Sequence, residues 1–94
     1  MKIFGIEYEI RYVEDLEDVG FEGTSSSVQR VLRLSKGASY ERTASTLVHE
    51  IIEIIINHLE LELPHHAISC LETGIFDALH SNGISLKPLL KKNK

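Results

Sequence analysis

The chain has 94 residues, 43% of them hydrophobic and 26% charged, with a formal net charge of −4. That length holds one small domain with a modest core and excludes two, and the acidic balance argues against gripping nucleic-acid phosphates, so no nucleic-acid partner is expected. The single cysteine, Cys70, excludes an internal disulfide or a CxxC knuckle.

In chain order, Phe4, Ile6, Tyr8, Ile10 and Tyr12 alternate with Glu7, Glu9 and Arg11, the period-two mark of a strand with one buried face. The N-terminal segment has no signal-peptide run. An acidic stretch with Glu14, Asp15, Glu17 and Asp18 leads through Gly20 and Gly23 into a connecting loop that Ser25 to Ser27 continue. Val28 to Ser35 reads as a second strand, with Val28, Leu32 and Leu34 on one face and Val31 on the other.

Ser39 is placed to cap a helix that starts near Tyr40 and runs to about Leu61. On a helical wheel Thr46, His49, Glu50, Glu53, Asn57 and Glu60 form a band roughly 100° wide. Aliphatic residues, five isoleucines among them, fill most of the remaining arc. So wide an apolar arc predicts a central helix, covered by the sheet on one side and by another helix on the other. Glu53 and Asn57 break this aliphatic run, which is too short to span a membrane. With one reduced cysteine, a cytoplasmic protein without membrane association is expected.

Pro64 suits the first turn of a second helix. Ala67, Ile68, Leu71, Ile75, Ala78 and Leu79 give it one apolar face, with His65 and Glu72 together at the edge. Asn82-Gly83 stops it. Leu86, Leu89 and Leu90 then offer packing before the basic end at Lys91, Lys92 and Lys94. The expected fold is α+β: a small antiparallel β-sheet followed by two packed α-helices. As one domain, 1–94, it divides into a sheet (1–35), a motif helix (39–61), a second helix (64–82) and a tail (84–94).

The chemistry centres on His49-Glu50-x-x-Glu53, which has the spacing of the HExxH zinc motif with glutamate in place of the second histidine. Residues one helical turn apart reach a single ion, and the glutamate beside the histidine takes a proton from its water. A third ligand must come from elsewhere, and His65 completes a set of two histidines and one carboxylate around Zn²⁺ or another divalent metal. Glu50 is then the catalytic base, and His49, Glu53 and His65 are the metal ligands. Glu72 either ligates as well or orients a ligand histidine. The same donor set also suits iron. The plainer reading keeps His49, Glu50, Glu53 and Asn57 as a solvated helix face, and His65 and His66 as surface residues at a helix start. His58 reads as a partly buried, hydrogen-bonded histidine, His80 as a surface one, and Cys70 as a small buried side chain.

Leu34-Ser35-Lys36, Thr46 to Glu53, Leu63-Pro64-His65 and Leu71-Glu72 together resemble small phage-associated proteins of metallopeptidase type. The pattern is similar to the gluzincins and to ImmA/IrrE-type metallopeptidase domains, over roughly residues 1 to 83. In that pattern the second ligand is a histidine and the third is an acidic residue on a following helix. Here Glu53 stands at the second place, Glu72 is the acidic residue, and His65 is an additional candidate. The resemblance implies a minimal zincin-like domain, zinc-dependent hydrolysis and a peptide or protein substrate added along a sheet edge. It also implies a phage origin. The alternative is a non-catalytic metal-binding or interaction module on the same fold.

Overall fold

The computed structural model describes residues 1–14 and 30–90 and the backbone of 23–26. Asp15, Glu17 and Asp18 of the acidic stretch, Ser27, Val28 at the expected start of the second strand, and Lys91, Lys92 and Lys94 lie outside the described residues.

The alternating N-terminal segment is cut into three short pieces. β1 (Lys2–Ile3) and β2 (Ile6–Glu7) form an antiparallel hairpin, and β3 (Glu9–Val13) follows. The cut falls at Phe4-Gly5, where φ is 54° and 75°. Two successive positive φ values are the mark of the two-residue turn that suits strand twist. Phe4 is therefore 52% exposed instead of sharing the buried face. Its ring stacks on His58, with centroids 4.3 Å apart and planes 14° from parallel. That stacking offsets part of the strain of a bulky residue at positive φ. From Tyr8 onward the period-two reading holds, with Tyr8 and Ile10 buried and Tyr12 half-buried.

β4 (Gly23–Ser26) and β5 (Val31–Ser35) complete a second sheet in the order β3–β5–β4. The sheet is mixed. β5 runs antiparallel to β4 and parallel to β3, with Ile10 opposite Leu32 and Tyr12 opposite Leu34. β4 occupies a segment whose Ser25 and Ser26 read as loop. Gly-Thr-Ser-Ser carries no apolar alternation, and its pairing comes from the backbone of β5. Leu32 and Leu34 are wholly buried, and Val31 on the opposite face is buried too.

α1 (Tyr40–His58) begins where the cap predicts: the Arg42 backbone N–H donates to Ser39 Oγ at 3.2 Å. One side of α1 lies on the sheet, where Leu47 and Ile54 join Tyr8, Ile10, Leu32 and Leu34 in one cluster. The other side meets α2 (His65–Ser81), with Val48, Ile52 and Ile56 packed on Ile68. α1 is thus the middle layer of an α+β fold, as its wide apolar arc predicts. Each wholly buried leucine contributes about 1.5–3 kcal/mol through removal from water.

α1 ends in a Schellman turn. Leu61 N–H bonds to Ile56 O at 2.9 Å and Glu60 N–H to Asn57 O at 3.3 Å, with Glu60 at φ 55°. α2 closes the same way at Gly83, where φ is 72° and Ile84 N–H reaches Leu79 O at 2.9 Å. A glutamate in this left-handed position is strained where glycine is not. Glu60→Gly is therefore expected to raise the unfolding free energy by about 1 kcal/mol. The check is a higher urea midpoint with an unchanged slope.

α2 is turned relative to its apolar arc. Ile68 is buried and Glu72, Phe76 and Leu79 are half-buried, while Leu71 and Ile75 are 45% and 41% exposed. The tail docks back onto the body: Leu86 packs on the α1–α2 cluster and Leu90 on the sheet cluster. Tyr12 O–H donates to Leu90 O at 2.6 Å, and Leu86 N–H donates to the Tyr40 hydroxyl at 2.8 Å. Burial pushes the Tyr12 phenol above its ordinary pKa, so it keeps the proton it donates. Among the described residues no helix is long and apolar enough to cross a membrane.

Candidate functional site

The site lies where α1 crosses α2. His49 stands in the middle of α1, on the side turned toward the second helix, and meets Glu72 with Nδ1 2.8 Å from Oε1. The other carboxylate oxygen is held from α1 as well: Ser45 Oγ–H donates to Glu72 Oε2 at 2.6 Å. The His49 and Glu72 side chains keep 21% and 22% of their exposure. At that depth, a hydrogen bond to a charged group contributes more than one in open water. Glu72 is thus the hydrogen-bond partner of both His49 and Ser45.

His65 opens α2 and is exposed. Its ring centre lies 5.7 Å from that of His49, with the planes at 61°. Two imidazoles that each bind one tetrahedral ion at 2.0–2.1 Å have ring centres about 5 Å apart. The two rings are neighbours at a spacing somewhat wider than that.

Glu53 follows His49 by one turn and is half-buried. It lines a groove of about 660 Å³ together with His65, Asn57 and Glu62. Ile56 and Ile68 contribute apolar surface, as do Leu61, Leu63 and Pro64 of the helix connection. The groove is thus wet at Glu53, Asn57 and Glu62 and apolar where the two helices meet, a combination common to sites for peptides and small organic ligands. Among the described residues, no group of three or more His, Cys, Asp or Glu side chains is set to hold one ion. The His49 and His65 rings are neighbours, and the Glu53 carboxylate shares the groove with His65 without closing a three-donor set.

Glu50 has a different setting. It is 6% exposed, although the wheel puts it in the polar band. Spacings of three and four residues put it between Leu47 and Ile54 on one side and Thr46 and Glu53 on the other, and it does not line the groove.

The remaining candidates fall away from the crossing. Cys70 is exposed rather than buried, with Sγ 3.5 Å from His66 Nε2 on the outer face of α2. His58 is exposed under the Phe4 ring, and His80 is exposed and stacked on Phe76 at 5.3 Å. Ser45 was not legible as a site residue, since no metal motif asks for a serine there. The signal available was its place four residues before His49, on the same face of α1. Compared with family profiles, with curated proteins and with solved structures, the chain matches none.

Proposed function

We propose that this chain binds a divalent metal ion, zinc by donor type, through His49 and His65, with Glu53 moving in from the groove it shares with His65 to complete the set on binding, and acts as a metal-dependent hydrolase of peptide bonds. One observation carries the reading: two neighbouring histidine rings, one of which is held by a carboxylate through a ring nitrogen. When bound, the ion would supply Lewis acidity toward a carbonyl and toward water.

The chain's own residues divide the remaining work. Glu72 orients His49 and raises its basicity from behind. Glu50, next in sequence to His49, accepts the proton of the attacking water on its carboxylate and returns it to the leaving amine. The groove at Glu53, Asn57 and His65 receives the substrate, with its apolar walls covering aliphatic side chains and excluding water. The substrate is a peptide or protein segment in extended form. A cytoplasmic setting belongs to this reading, because an exposed unpaired thiol at Cys70 suits a reducing compartment.

A second reading has its own support. Glu50 is buried and is not among the residues that line the groove. On that reading the chain is a metal-binding or interaction module without catalysis.

The first test is elemental analysis of protein purified without a histidine tag, with His49→Ala as control. About one equivalent of metal is expected in the wild type, with affinity lost by well over tenfold in the variant. Equal and near-zero metal in both, after incubation with zinc and removal of excess, sinks the metal reading.

A further inference from the structure

We propose that Ser45 is a positioning residue: by holding one oxygen of Glu72 it presents the other to His49 Nδ1, and so fixes the imidazole as the Nδ1–H tautomer with Nε2 free to bind. The distances are those of two good hydrogen bonds on one carboxylate, 2.6 Å from Ser45 and 2.8 Å to His49.

An ionised carboxylate only accepts, so the ring nitrogen facing it must carry hydrogen. In the neutral ring that leaves the lone pair on Nε2. Free imidazole in water exchanges between its two tautomers, and the protein must choose one for the other nitrogen to serve as a ligand or base.

Glu72 alone makes that choice loosely. Its side chain is long, about one-fifth exposed and free to swing toward water. Ser45 removes this freedom. It sits four residues before His49 on α1, so both side chains rise from one helix face and grip a single carboxylate that comes from α2. A serine in a helix interior ordinarily turns its hydroxyl to a backbone carbonyl four residues back. Here it donates across the helix crossing instead, to a charged acceptor.

The tautomer is a property of the metal-free protein. Its consequence for metal affinity rests on the function proposed above, and the test separates the two. Ring nitrogen shifts of His49 are read by two-bond nitrogen–proton correlation on the full chain, metal-free, at about pH 8.5, above the ordinary histidine range. The wild type is expected to show a protonated Nδ1 and an unprotonated Nε2. In Ser45→Ala both shifts move toward the averaged values of a mixed ring, and Ser45→Thr, which keeps the hydroxyl, restores the wild-type pattern. Alanine is the best helix former, so the first variant keeps its helix.

Wild-type ring shifts retained in Ser45→Ala overturn the proposal, and so does a wild-type ring in the Nε2–H form. Titration with zinc alone then reads the consequence, about tenfold weaker binding in Ser45→Ala. A wild type that takes no zinc, while the tautomer still moves on loss of Ser45, defeats the metal reading and leaves the role of Ser45 standing.

Discussion

Replacing Leu47 with alanine is expected to lower the unfolding free energy by about 3–4 kcal/mol. Leu47 has no exposed surface and joins α1 to Tyr8, Ile10, Leu32 and Leu34 of the sheet layer. Truncation removes the transfer term of the buried methyl groups and leaves a cavity between a helix and a sheet. Both sides are pinned: the helix by its Ser39 cap and its packing on α2, the sheet by β5 pairing on both edges. A site that collapses poorly falls toward the upper part of the known range. A domain of this size has a total stability on the order of 5–14 kcal/mol, so one side chain removes a large fraction of it. Urea denaturation followed by circular dichroism reads the loss. A change below about 1 kcal/mol would place the centre of the core elsewhere, since that is the cost of a surface substitution.

Leu47 was legible as core because α1 announces itself through local chemistry. A serine cap, a helix-long apolar arc and the absence of Gly or Pro all point one way, and observed and expected starts coincide at Tyr40. Asn82-Gly83 stops α2 for the same reason, since glycine takes the left-handed turn without strain. The misses share a different cause. Phe4 in a positive-φ turn, its ring stacked on the distant His58, and the backbone pairing of Gly23 to Ser26 with β5 leave no apolar alternation to read. The parallel pairing of β3 with β5 is likewise a tertiary choice that alternation alone leaves open.

The site was legible as a set of residues rather than as a geometry. The spacing of His49 and Glu53, and the arrival of His65 and Glu72 on the next helix, could be read from the chain. Which face of α2 turns inward could not. Its apolar residues span an arc wide enough to pack in more than one rotation, and the structure turns Leu71 and Ile75 outward to bring Glu72 against His49. A glutamate is thereby half-buried in place of a leucine. Packing alone would choose the reverse, because burying a carboxylate without partners is expensive. The two hydrogen bonds from Ser45 and His49 compensate, and they explain why this rotation is stable.

Glu50→Gln is expected to abolish peptide hydrolysis while leaving metal content unchanged. The exchange keeps side-chain volume and removes the charge that accepts a proton. Loss of a general base slows such reactions by about 10²–10⁴-fold. His49, His65, Glu53 and the Ser45–Glu72 clamp are untouched, so zinc affinity should stay within a few-fold of the wild type. The measurement is cleavage of a denatured protein mixture by zinc-loaded wild type and variant, followed by mass spectrometry, with metal content determined on the same samples. The position of Glu50 makes this test decisive. It is 6% exposed and does not line the groove, so a catalytic role requires its carboxylate to reach water at the groove's edge. Cleavage that persists at the wild-type rate in Glu50→Gln removes Glu50 from the chemistry. Absence of cleavage by the metal-loaded wild type removes the hydrolase and leaves a metal-binding module.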